Sequence, residues 1–156
     1  MGIEIERKFL PKNDDWRNFA TDPATIRQGY LAREYGNVVR VRITDIEGTT
    51  TSQLCIKGLK QGGEIPEYEV SIPHDMALEL FKLCEWSIKK IRRHVYAGDH
   101  TFEIDEFAGN LRGLVVIEVE LGSVGEQVDL PDWIGKEITD DPRYNNAHLC
   151  EHGVPG

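Results

Sequence analysis

The chain has 156 residues, 40% of them hydrophobic and 29% charged, with a formal charge of −9. That length suits one domain with a real core, and the negative charge excludes general nucleic-acid binding, whose affinity rests on positive charge. No apolar run nears the ~20 residues of a membrane helix and the charged opening is not a secretory signal, so the expectation is one cytoplasmic domain over residues 1–156 with no membrane partner.

Glu4-Ile5-Glu6-Arg7-Lys8-Phe9-Leu10 reads as a strand with Glu4, Glu6 and Lys8 on one face and Ile3, Ile5 and Phe9 on the other. Glu4 and Glu6 then stand roughly 7 Å apart, a span that a divalent cation and its waters could bridge. Residues 11–22 suggest a short helix, with Asn13 or Asp14 as cap and Pro23 as its stop. Residues 26–34 and 38–44 form a hairpin about Tyr35-Gly36-Asn37, and the second arm sends Arg40 and Arg42 one way and Val39, Val41 and Ile43 the other.

In residues 50–57, Leu54 and Ile56 alternate with Gln53, Cys55 and Lys57, and in residues 67–72 Glu67 and Glu69 oppose Tyr68, Val70 and Ile72. The glycine-rich stretch 58–63 between them is a loop, because it has neither P-loop nor dinucleotide spacing. Residues 74–86 are the clearest helix, its apolar stripe made of Met76, Ala77, Leu80, Phe81, Leu83 and Cys84. Residues 87–96 present Lys90, Arg92 and His94 on one face, with Arg93 interrupting the apolar row. Past a turn at Gly98-Asp99, residues 101–107 present Glu103 and Asp105, and residues 114–121 present Glu118 and Glu120. The rest reads as loop and short helix anchored by Trp133 and Tyr144. Cys55, Cys84 and Cys150 form no disulfide framework or zinc knuckle, and His148 and His152 read as a solvated pair.

An open antiparallel sheet would turn its charged face to water, with signs interspersed. Here the signs are sorted by strand, which a closed or nearly closed β-barrel explains better: apolar faces outward beneath helices, charged faces inward around a wet lumen. That lumen would hold Lys8, Arg40, Arg42, Lys57, Lys90 and Arg92 with Glu4, Glu6, Glu67, Glu69, Glu103, Asp105, Glu118 and Glu120. Two like charges ~4 Å apart repel by ~4 kcal/mol at an effective dielectric of about 20. One or two divalent ions would relieve the acidic side, and a multiply charged anion such as a triphosphate would suit the basic side.

These pieces resemble the CYTH superfamily, the triphosphate tunnel metalloenzymes, in its short bacterial single-domain form. The most specific is Glu4-x-Glu6-x-Lys8. Arg27-Gln28-Gly29-Tyr30-Leu31, Arg40-x-Arg42, Ile56-Lys57-Gly58, Glu67-Tyr68-Glu69, Lys90-x-Arg92, Glu103-Ile104-Asp105, Glu118-x-Glu120, Trp133-x-Gly135-x-Glu137-x-Thr139 and Tyr144-x-Asn146 follow in order. The resemblance implies a mainly β, α+β fold: a closed eight-stranded antiparallel β-barrel, or tunnel, with a charged lumen and helices packed outside. It implies that Lys8, Arg40, Arg42, Lys57, Lys90 and Arg92 grip phosphates, that Glu4, Glu6, Glu118 and Glu120 hold Mg²⁺ or Mn²⁺, and that Glu67, Glu69, Glu103 and Asp105 support the basic side chains. Tyr30 with Lys90 is the implied reacting end.

The activity so implied is metal-dependent hydrolysis of inorganic triphosphate, catalysed chiefly by electrostatics. A class IV-type adenylate cyclase, a thiamine triphosphatase and a non-catalytic polyphosphate- or nucleotide-binding barrel are the alternatives. Two departures from the family pattern stand out: Ile65, followed by Pro66, occupies a position where arginine is common, and Arg93 and His94 stand where aromatic residues are common.

Overall fold

The computed structural model describes residues 2–156. Among the described residues the chain forms ten strands: β1 (Gly2–Glu4), β2 (Glu6–Pro11), β3 (Thr21–Glu34), β4 (Asn37–Ile46), β5 (Thr49–Lys57), β6 (Ile65–Ser71), β7 (Trp86–Ala97), β8 (His100–Phe107), β9 (Val115–Glu120) and β10 (Ile134–Glu137). All pair antiparallel in one sheet ordered β1-β6-β5-β4-β3-β7-β8-β9-β2-β10. Two helices accompany them, α1 (His74–Phe81) and α2 (Asn146–His152). No helix among the described residues is long and apolar enough to cross a membrane.

The expected closed eight-stranded barrel is corrected to a ten-stranded sheet whose end strands, β1 and β10, are not paired with each other. The N-terminal strand is split at Ile5, so that β1 pairs with β6 while β2 pairs with β9. At the split the Ile5 carbonyl accepts from Leu121 N at 2.8 Å, just past the end of β9. The other addition is β10, a strand on the free edge of β2 where the sequence suggested loop. Gly135 makes that pairing possible, because a Cβ there would lie 2.7 Å from the Leu10 carbonyl oxygen.

Three local expectations also change. The only helical part of residues 11–22 is a 3-10 turn at Asp15–Asn18, and Pro23 lies inside β3, at its irregular start, instead of ending a helix. There Asn13 Oδ1 accepts from Asp15 N at 2.9 Å, whereas the Asp14 side chain caps nothing. Helix α1 stops at Phe81, well before residue 86, and of the expected stripe only Ala77 is buried against Val41 and Ile43, with Leu80, Phe81 and, past the helix end, Cys84 half-buried beside it and Met76 and Leu83 exposed.

The outward faces are covered unevenly. Phe9, Val95, Phe102, Ile104, Ile117 and Val119 pack under Trp16 and Trp133, and Phe102 meets the Trp133 ring edge-on at 5.7 Å. By contrast Ile56, Tyr68 and Val70, on the outer face of β5 and β6, remain exposed, so helices do not cover the whole outer surface. The inward face departs from expectation as well. Ile88, Phe107 and Val116 share the parity of Lys90, Asp105 and Glu118, and they pack with Ile138 and Leu149 into an apolar cluster that Tyr144 flanks. Helix α2 therefore seats on the end of the charged face, not on the outside.

Candidate active site

The charged faces converge on one cavity of about 1350 Å³. All six expected cations line it: Lys8, Arg40, Arg42, Lys57, Lys90 and Arg92. So do Glu4, Glu6, Glu118, Glu120, Glu67, Glu69, Glu103 and Tyr30; Asp105 lies buried behind the wall. Strand register produces this grouping. In the β2–β9 ladder Glu6 faces Glu120 and Lys8 faces Glu118, while β3–β4 sets Tyr30 opposite Arg40 and Gln28 opposite Arg42. Ladder β7–β8 sets Arg92 opposite Asp105.

The acids and bases hold one another. Arg92 binds Asp105 through two hydrogen bonds of 2.7 and 2.9 Å and reaches Glu103 at 3.1 Å, and Lys90 Nζ donates to Asp105 Oδ2 at 2.7 Å. Lys57 Nζ lies 2.9 Å from Glu4 and 3.3 Å from Glu67, Lys8 3.5 Å from Glu6, and Arg40 3.8 Å from Glu69. Arg40 Nε is buried with no hydrogen-bond partner among the described residues, a donor suited to an anion in the cavity.

These surroundings displace several pKa values. Burial, outweighing Asp105 and aided by Arg92 and Arg42, brings Lys90 down to about 7. Burial and the Glu118 carboxylate push Glu6 up to about 8. Glu118 goes the other way: burial opposes ionisation, but Lys8 and Arg92 bring it down to about 2. For Asp105 too, burial is overcome by Arg92 and Lys90, which hold it far below the ordinary carboxylate range. Burial raises Tyr30 to about 12 and, with Arg40 and Arg92, lowers Arg42 to about 10.

Among the described residues no three His, Cys, Asp or Glu side chains are grouped closely enough to hold a metal ion. The chemistry of the acidic wall nevertheless fits a hard divalent cation. It offers only carboxylate oxygens, Glu6 faces Glu120, and a bound cation would offset the burial and the Glu118 charge that raise Glu6. A cation held by Glu4 would compete with Lys57 for that carboxylate.

Two residues with no role evident in the sequence, Gln28 and Asn146, belong to the site. Gln28 is fully buried and donates from Nε2 to Tyr30 Oη at 2.8 Å and to Asn146 Oδ1 at 3.1 Å, while its Oε1 accepts from Arg42 Nε at 3.0 Å. Asn146 Oδ1 also accepts from Lys90 Nζ at 2.8 Å. Tyr30 and Lys90 are thus joined through two amides, not directly. Gln28 shares the parity of Tyr30, which was the available signal; nothing local to Asn146 announces its reach into the cavity.

The departures also find places. Ile65 opens β6 opposite Glu4 and lines the cavity. Arg93 points outward to Glu106 at 2.7 Å, which Arg17 also grips at 2.6 Å. His94 Nε2 stands 3.7 Å from Glu103.

A family model described as the CYTH domain matches residues 2–146. An inorganic triphosphatase of Acetivibrio thermocellus is 39% identical over 154 residues, spanning 97% of this chain and 96% of that protein. An inorganic triphosphatase of Nitrosomonas europaea is 32% identical over 156 residues, spanning 94% and 96%. The crystal structure of an inorganic triphosphatase resembles this fold with a TM-score of 0.65 and 31% identity, over 97% of this chain and 99% of that one.

Proposed function

The chain belongs to the CYTH domain family, and from that premise we propose that it hydrolyses inorganic triphosphate, with Mg²⁺ or Mn²⁺ as cofactor and the whole of residues 1–156 acting as one domain. The observation that carries this reading is the convergence of six cationic side chains and the acidic wall on one cavity. Support for a tunnel, finer than the open ladder described above, comes from the first strand: β1 and β2 are consecutive in the chain, yet one pairs with β6 and the other with β9.

In this reading Lys8, Arg40, Arg42, Lys57 and Arg92 neutralise and align the phosphate chain, and Glu67, Glu69, Glu103 and Asp105 hold those cations in place. Glu4, Glu6, Glu118 and Glu120 would hold the cation, which polarises phosphate oxygens when bound. Lys90, brought to about 7, is a neutral amine at mildly alkaline pH, and its Nζ accepts the proton of the attacking water. Tyr30 Oη already accepts from Gln28, which leaves its own proton to donate to a phosphate oxygen.

Phosphate release from triphosphate, ATP, thiamine triphosphate and longer polyphosphate, with products identified, tests the proposal. The expected result is orthophosphate and pyrophosphate from inorganic triphosphate. Absence of turnover with either ion from neutral to alkaline pH overturns it; binding without turnover would mark a non-catalytic polyphosphate-binding barrel, a reading that Ile65, apolar on the cavity wall, favours.

A further inference from the structure

The proton state of Lys90 is set within a hydrogen-bond network whose direction can be read atom by atom. Arg42 Nε can only donate, so the Gln28 group 3.0 Å away must be its carbonyl oxygen. The Gln28 amide nitrogen then faces Tyr30 Oη and Asn146, and both of its N–H bonds are used. Asn146 must therefore turn its own carbonyl oxygen to Gln28, and that same oxygen accepts from Lys90 Nζ. Flipping either amide would set donor against donor.

Lys90 Nζ consequently meets two acceptors, Asp105 Oδ2 at 2.7 Å and Asn146 Oδ1 at 2.8 Å. A neutral amine has two N–H bonds and one lone pair. With both N–H bonds engaged, the lone pair is what remains for the cavity that Lys90 lines. We infer that Asn146, oriented by Gln28, is a positioning residue that aims the Lys90 amine at the water it deprotonates; this rests on the triphosphatase reading above.

The amide is suited to that task because it accepts a hydrogen bond without adding charge. The groups facing Lys90 are Asp105 from β8, Arg92 from its own strand, Arg42 from β4, Glu118 from β9 and, through the amides, Tyr30 from β3. Phe107 lies with its ring centroid 5.6 Å from Nζ. Among the described residues one anion, Asp105, is in hydrogen-bond contact with Lys90, and Arg92 shares it. A carboxylate at position 146 would be a second, and it would hold the ammonium form.

The test uses the full chain labelled with ¹³Cε-lysine, the Lys90 signal being assigned by its loss in Lys90→Arg, alongside phosphate release from inorganic triphosphate with Mg²⁺ across pH. In Asn146→Asp the Lys90 titration midpoint is expected to rise by about 1 to 3 pH units, and the rising limb of kcat to move with it. In Asn146→Ser, which withdraws the acceptor, the midpoint is expected to fall. Opposite shifts from two substitutions at one position separate positioning from a merely structural role, which would move both the same way. Midpoints unmoved in folded Asn146→Asp and Asn146→Ser, or moved in the same direction, overturn the inference. If the midpoints move as expected but the wild-type chain releases no phosphate, the triphosphatase reading fails and, with it, the deprotonating role given to the aimed amine.

Discussion

Lys57 Nζ donates to Glu4 Oε1 across 2.9 Å, joining the basic wall to the acidic one. Burial works against the Lys57 charge, but Glu4 and Glu6 outweigh it and hold Lys57 above its ordinary pKa. A cation held by Glu4 would weaken its hold on Lys57, and a phosphate held by Lys57 would weaken its hold on Glu4. Thermal unfolding with Mg²⁺ alone, triphosphate alone and both together should therefore show a joint rise in Tm larger than the sum of the separate rises. A ligand at 100 times its Kd stabilises by about 2.7 kcal/mol, enough to move Tm by several degrees in a chain of this size. Treatment with EDTA should abolish the joint effect and the turnover.

Glu4→Gln and Glu6→Gln should each lower metal-dependent turnover by about 100-fold or more, because each removes a proposed metal ligand. Neither should unfold the chain. Burial and Glu118 raise Glu6 to about 8, so glutamine replaces a carboxyl that is already largely neutral at pH 7, and Lys57 keeps Glu67 at 3.3 Å when Glu4 is neutralised. Circular dichroism melts should show a Tm for Glu6→Gln at or above that of the parent; full activity in either variant would refute the metal assignment.

Turnover should depend on pH through Lys90, whose pKa is near 7. Below that value the ammonium cannot accept a proton, and above it the amine can, so kcat should climb as pH rises through about 7 and then level off. Lys90→Arg keeps a cation but has no neutral form in this range, and its residual rate should lose that limb. A pH series of initial rates at saturating triphosphate measures both.

Asp105→Asn should be the costly substitution. Asp105 is fully buried and compensates Arg92 and Lys90 together. Removing one partner of a buried ion pair costs about 3 to 5 kcal/mol, to be read from urea unfolding. The sign with pH follows from the depressed pKa. Its contribution is fully present above the unfolded carboxylate value near 4 and is lost as pH falls toward the folded value.

The sequence made the wall of the cavity legible because charge and strand period coincide there. Every Lys, Arg and Glu read as facing inward on β2, β4, β5, β7 and β9 lines the cavity, since parity alone decides the face. Parity says nothing about what fills the face at its ends, so the apolar cluster of Ile88, Phe107 and Val116 under α2 was not foreseen. Nor could β10 be read, because Ile134–Glu137 is too short for alternation to register and depends on the free edge of β2. Asn146 lies outside any strand, and its contact with Lys90 depends on where α2 docks.

The split at Ile5 has a consequence for how the protein is made. Residues 6–9 leave the ribosome well before their partners, since Glu6 pairs with Glu120 and Phe9 with both Ile117 and Glu137. Pairings this distant in sequence slow folding and leave hydrogen-bonding edges exposed meanwhile. Phe9, almost fully buried in the finished fold, has no strand partner until residue 117 has been made. The β2–β9 ladder brings Glu6 beside Glu118 and Glu120, so a chain synthesised only as far as β8 has no complete acidic wall.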